Sequence, residues 1–129
     1  MIKDGVIVDT SVFINFLKGK EKYAMEVTAL LEKNRVVTTG IIIAELMQGI
    51  RKKEEEEHIA GLMSSITILE IPTELWVKAG KLSSSLRRKG TTLPLTDIAI
   101  AAIAIDYNLS LFTLDKHFEQ ISGVRIYKI

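Results

Sequence analysis

Asp9, Glu45, Asp97 and Asp115 come from distant parts of the chain, yet each has a comparable local setting. Asp9 closes the apolar run Val6-Ile7-Val8, and Asp115 follows Leu111-Phe112-Thr113 by two residues. Glu45 lies one helical turn after Ile41, and Asp97 opens a long alanine- and isoleucine-rich stretch. Carboxylates gathered at close range repel one another, and in a partly dry site some would keep their protons. A divalent cation removes that conflict, and hard oxygen donors suit Mg²⁺ or Mn²⁺. A bound ion of this kind lowers the pKa of its water, which is the chemistry of metal-assisted hydrolysis.

Each acid also has a plainer reading. Asp9 fits an Asx turn leaving a strand. Asp97 and Asp115 fit first-turn or capping positions, where the positive end of a helix favours a carboxylate. Glu45 shares a polar helix stripe with Gln48 and Lys52. Other chemistries lack their residues. There is no cysteine, hence no thiolate nucleophile or thiolate metal site. His58 and His117 are not spaced as a zinc pair; His58 follows an acidic run, while His117 stands beside Asp115. No glycine-rich phosphate loop or Gly-x-Ser-x-Gly elbow occurs.

The elements that must position these acids follow from periodicity. Val6-Ile7-Val8 is a continuous β-branched run, as in a central parallel strand covered on both faces. Thr10 and Ser11 offer N-cap hydroxyls to a helix through Leu17 that stops near Gly19. Helices are expected over residues 21–33 and 41–52, around Ile59, Leu62 and Met63, over 73–89, and over 95–107. The last is apolar nearly all round and should be buried. Short strands are expected at 35–39, 67–71, 110–113 and 124–127. Alternating strands and helices predict an α/β fold with a mostly parallel sheet. In such sheets ligands bind beyond the carboxyl ends of the strands, which is where the acids map. Asp4 and Asp106 fall at the opposite ends of their elements and stand outside the set.

The 129 residues suit one domain with one core, with no linker, repeat or low-complexity tract. The first residues, MIKDGVIVDTSVF, do not read as a signal peptide, and the longest apolar stretch, 98–105, is far below the roughly 20 residues that span a bilayer. The cytoplasm is the expected location, with no membrane partner. Net charge is +1, so bulk electrostatics does not announce a nucleic acid. The basic groups are nevertheless clustered: Arg51, Lys52 and Lys53 precede Glu54 to Glu57, and Arg87, Arg88 and Lys89 close another segment. These runs are either solvated helix ends or contacts for phosphate.

Four segments in order resemble the PIN domain, and within it the VapC-type toxins of bacterial and archaeal toxin–antitoxin pairs. They are Val6-Ile7-Val8-Asp9-Thr10-Ser11-Val12-Phe13, Ala44-Glu45-Leu46 with Gly49, Leu95-Thr96-Asp97, and Thr113-Leu114-Asp115 with Phe118. The resemblance spans nearly the whole chain. It implies a three-layer α/β/α sandwich and a Mg²⁺- or Mn²⁺-dependent endoribonuclease acting on RNA. Asp9, Glu45, Asp97 and Asp115 occupy the family's catalytic acidic positions, with Asp9, Asp97 and Asp115 as metal ligands. Ser11 and Thr113 match polar positions that support the carboxylates. Arg51, Arg87 and Lys116 are candidate RNA contacts. A cognate antitoxin and a homodimer are expected partners. One departure is Asn108, where relatives often carry glycine; asparagine tolerates positive φ, so the turn is expected to survive.

Two other readings stay open on the residues alone. One is a PIN-like module that binds RNA or protein without cleavage. The other is a receiver-like phosphoacceptor domain, although such domains pair two acids after strand one and place a lysine after the penultimate strand. Here Thr10 follows Asp9, and Asp115 holds the later position.

Overall fold

The computed structural model describes residues 2–129. Among these residues are five strands: β1 (Val6–Val8), β2 (Val36–Thr39), β3 (Thr67–Leu69), β4 (Ser110–Phe112) and β5 (Arg125–Ile126). They form one sheet in the order β3-β2-β1-β4-β5, with every pairing parallel. The helices are α1 (Thr10–Leu17), α2 (Glu21–Glu32), α3 (Gly40–Gln48), α4 (Lys53–Met63), α5 (Thr73–Arg88) and α6 (Leu95–Asp106). A short 3₁₀ helix, Lys116–Gln120, fills the last connection.

Successive side chains of a strand point to opposite faces of a sheet. Val6, Ile7 and Val8 are all buried, so β1 is covered on both sides, as its β-branched run predicts. The edge strand β3 instead exposes Thr67 and Ile68. The chain steps from β1 to β2 to β3, then returns across the sheet to β4. Right-handed crossovers therefore put α1 to α4 on one face and α5 and α6 on the other. The packing agrees, since α1 meets α2 and α3 while α5 meets α6. The result is the three-layer α/β/α sandwich. In α6, Ile98 through Ala104 are all buried, because the helix lies between the sheet and α5. Replacing a fully buried Ile100 or Ile103 by alanine would cost about 2–5 kcal/mol.

Four helix ends share one device. Gly19, Asn34, Gly90 and Asn108 each stand just past a helix with positive φ, between 55° and 86°. After each, the next N–H bonds back to a carbonyl five residues earlier: Lys20 to Asn15, Arg35 to Leu30, Thr91 to Leu86 and Leu109 to Ala104. This is the Schellman pattern, which satisfies the last carbonyls and turns the chain sharply. It delivers α2 into β2 and α6 into β4 within a few residues. Asn108, with φ of 55°, does what glycine would do there.

The sequence expectation of one helix over 41–52 is corrected. α3 ends at Gln48, where Gly49 and Ile50 donate to the carbonyls of Leu46 and Met47, tightening the last turn. Glu54, Glu55 and Glu56 then occupy the first turn of α4, where the helix dipole favours them. The charge reversal that reads as one solvated helix end is a boundary between two helices. The outer strands are also shorter than expected, β3 stopping at Leu69 and β5 at Ile126.

The strand order reverses between β1 and β4, the switch point at whose carboxyl ends such sheets bind ligands. Asp9 follows β1 directly and Thr113 follows β4 directly.

Candidate active site

β1 and β4 pair with Val8 opposite Phe112, so the residues that leave them emerge side by side. Asp9 is buried, 7% exposed, and its Oδ2 accepts two hydroxyl donors. Thr113 Oγ1 donates at 2.7 Å and Ser11 Oγ at 3.2 Å. Each hydroxyl also accepts a backbone N–H from the β4 loop: Thr113 from Asp115 at 3.0 Å, and Ser11 from Leu114 at 3.1 Å. The two side chains thus lace the ends of β1 and β4 together around Asp9. Their expected supporting role is consistent with this geometry. The capping role expected of Thr10 and Ser11 is corrected: Asp9 is the N-cap of α1 and makes no side-chain cap bond, while the hydroxyls serve acids.

Glu45 comes from the second turn of α3, which starts directly where β2 ends. Its Oε1 accepts the Thr10 hydroxyl at 2.8 Å, tying α3 to the start of α1. Sequence reasoning assigned Thr10 no part in the site. The available signal was its place beside Asp9; the partner stands 35 residues away.

Asp97 is the third residue of α6, whose N-cap is Pro94. Proline has no backbone N–H, so an acid at this position cannot close the reciprocal capping box. The side chain is 17% exposed, and its Oδ2 lies 3.6 Å from His117 Nδ1. Burial is the main reason its carboxyl titrates above the ordinary Asp value. The facing His117 ring opposes that rise, while Asp9, Asp115 and Glu45 add to it by repulsion. Burial and neighbouring acids therefore outweigh the favourable helix end expected from sequence. The same coupling shows that all four acids lie within electrostatic range.

Asp115 caps a helix, as its plainer reading expects, and also faces His117. Its Oδ1 accepts the His117 backbone N–H at 3.0 Å, capping the 3₁₀ helix, and lies 3.2 Å from His117 Nδ1. Donor atoms of Asp97, Asp115 and His117 all fall within 4.8 Å of one another. Asp9 and Glu45 stand outside this tight trio.

The PIN domain family model matches residues 6–124. The chain belongs to the PIN-domain family. It is 30% identical over 130 residues to the ribonuclease VapC of Rickettsia bellii, covering 95% of this chain and 94% of that one. It is also 29% identical over 125 residues to the tRNA(fMet)-specific endonuclease VapC of Salmonella typhimurium, covering 93% of this chain and 94% of that one. Among solved structures, DNA-bound VapBC from Salmonella typhimurium superposes with a TM-score of 0.84 at 26% identity, covering 98% of each chain. VapBC-1 from nontypeable Haemophilus influenzae gives 0.81 at 26% identity, covering 99% and 98%. These relatives place the chain in the VapC branch of the PIN family, and the receiver-like alternative falls with that result.

Of the four acids, Glu45 lines a cleft of about 600 Å³ that runs past Gly49 and Arg51 to His58. The break between α3 and α4 supplies part of its wall, so Arg51 faces the same space as Glu45. Arg87 stands elsewhere, with Arg88 and Leu95 around a separate shallow hollow. Lys116 is exposed on the 3₁₀ helix directly after Asp115. Among the described residues, none of these three cations is ion-paired. Asp4 and Asp106 are remote, as expected: the Asp4 carbonyl accepts Arg35 Nε, and Asp106 pairs with Lys78 at 2.6 Å. No described helix is long and apolar enough to cross a membrane.

Proposed function

We propose that this PIN protein is a Mg²⁺- or Mn²⁺-dependent endoribonuclease and the toxin of a toxin–antitoxin pair. The observation that carries the reading is geometric: Asp9 at the end of β1 is tied through Thr113 to the Asp115 loop after β4, and Asp97 presents a carboxylate oxygen within 4.8 Å of that of Asp115. The named ribonucleases among the relatives support the activity, and the solved VapBC complexes support an antitoxin partner. A homodimer remains part of the proposal.

The residues fit a hard divalent cation. Carboxylate oxygens predominate, Asp97 and Asp115 present theirs within 4.8 Å, and Asp9 is held nearby by two hydroxyls. Asp9, Asp97 and Asp115 would hold the ion, with Glu45 closing the acidic ring. When bound, the ion acidifies water and neutralises charge at the scissile phosphate.

The chain's own groups do the rest. Thr113 and Ser11 fix Asp9 Oδ2, so that carboxylate cannot rotate away to solvent. Thr10 holds Glu45 in the same way. One carboxylate of the set takes the proton of the attacking water. Arg51, with Lys116 and Arg87 further out, would neutralise flanking phosphates and position RNA without reading its sequence. Incubating RNA with the protein and Mg²⁺ or Mn²⁺, with EDTA as control, tests the reading. Internal cleavage that EDTA stops is expected; intact RNA under every metal condition would leave only the non-catalytic module.

A further inference from the structure

Building on that metal-hydrolase reading, we infer that His117 is a nitrogen ligand of the same ion, and that it biases the site towards Mn²⁺ over Mg²⁺. The placement of its ring is specific. The 3₁₀ helix fixes the backbone of His117 through the Asp115 cap, and the next residue, Phe118, anchors the turn in the core at 1% exposure. From that backbone the ring turns Nδ1 towards both acids, at 3.2 Å from Asp115 Oδ1 and 3.6 Å from Asp97 Oδ2.

An octahedral ion with ligands at about 2.1 Å sets adjacent donor atoms about 3.0 Å apart and opposite ones about 4.2 Å apart. Both histidine separations lie within that span and all three donors fall within 4.8 Å of one another, so the three would reach one ion with side-chain adjustments. The same contacts also describe a salt link between an imidazolium and two carboxylates, which holds no ion. Nitrogen coordination to a bound ion separates the two, and the donor set says which ion is favoured. Mg²⁺ prefers oxygen and gives up water reluctantly, whereas imidazole nitrogen suits first-row transition ions. A mixed nitrogen and oxygen set therefore shifts preference away from Mg²⁺.

The test uses Mn²⁺ bound to the intact protein and pulsed electron paramagnetic resonance, which detects a directly coordinated nitrogen through its ¹⁴N coupling. One imidazole coupling is expected in the wild type. It should persist in His58→Gln, which changes the other histidine, and vanish in His117→Gln. Competition binding should show the Mn²⁺/Mg²⁺ affinity ratio falling at least about tenfold in His117→Gln. Circular dichroism on the variant controls for folding, and the wild-type spectrum stands independently of it. Bound Mn²⁺ without nitrogen coupling would overturn the role of His117 and leave the carboxylate site standing. Failure of the wild type to bind millimolar Mn²⁺ would overturn both.

Discussion

Thr113 Oγ1 donates to Asp9 Oδ2 at 2.7 Å across 104 residues of chain, and in the same position accepts the Asp115 backbone N–H at 3.0 Å. One hydroxyl thus sets the distance between two acids that leave different strands. Thr113→Val keeps the shape and removes both interactions. It should lower kcat/KM by about 10- to 100-fold, the usual effect of losing a group that orients a ligand carboxylate. Stability should fall by about 1–2 kcal/mol, because a half-buried N–H and a carboxylate each lose a partner. Thr113→Ser should recover most of both. Steady-state kinetics and thermal melts give the comparison, and full activity in Thr113→Val would remove Thr113 from the site.

Charge and fold should separate at Asp97. Asp97→Asn preserves size and removes the charge that would hold an ion, so cleavage should drop at least about 100-fold while circular dichroism is unchanged. Asp4→Asn should cleave at the wild-type rate, since Asp4 offers only its carbonyl, to Arg35, far from the site. Normal cleavage by Asp97→Asn would show that its carboxylate has no role in the chemistry.

These residues also mark how far the chain could be read without coordinates. Asp9 and Asp115 were legible because each leaves a strand, and strand ends follow from apolar runs such as Val6-Ile7-Val8. Asn108 was legible because a residue ending one helix and feeding a strand must tolerate positive φ. The Thr10–Glu45 bond was not, because a hydroxyl at a helix start reads first as a cap, and its partner lies in another element. The end of α3 at Gln48 is not legible because the amphipathic pattern runs on into Lys52, and only the dipole preference of Glu54 to Glu56 marks a new start. For Asp97, sequence gives the helix end but not the burial, and burial decides the sign of the shift.

That sign predicts a crossing of stabilities. With its carboxyl raised above the unfolded value, native Asp97 holds its proton to higher pH than the unfolded chain does. Its contribution is therefore fully present below the unfolded pKa, near 3.9, and is lost as pH rises through the folded value. At pH 7 in EDTA, Asp97→Asn should melt above the wild type, and the gap should close as pH falls towards about 4. Saturating Mn²⁺ should reverse the order, since an ion present at about 100 times its Kd stabilises the wild type by about 2.7 kcal/mol. Differential scanning calorimetry in both buffers decides it; parallel curves with no crossing would contradict the metal assignment.

Arg51 should reveal itself through salt. It lines the cleft that Glu45 opens into and has no described carboxylate partner, so its charge is available to phosphate. Arg51→Ala should raise KM for RNA with little change in kcat. The slope of log binding constant against log salt should become shallower by about 0.7, the value for one phosphate contact on a single strand. An unchanged slope would place the RNA elsewhere.

The products should carry a 5′-phosphate and a 3′-hydroxyl. Cleavage through the ribose 2′-hydroxyl needs a base beside that group and yields a cyclic phosphate, and histidine is the usual choice. Here His58 is exposed on α4, while the Nδ1 of His117 is turned to Asp97 and Asp115. Neither pairs with the other as an acid–base couple would. The site instead gathers four carboxylates, a set suited to in-line attack by water on phosphorus. Attack on that line breaks the bond to O3′, and the phosphate stays with the downstream nucleotide. A 2′-deoxy substitution at the scissile position should therefore leave the chemical step intact even where binding weakens. End-labelled RNA cleaved in Mn²⁺ and treated with phosphatase, kinase and periodate identifies the ends. Cyclic phosphates, or cleavage undiminished in excess EDTA, would reject hydrolysis by water at this site.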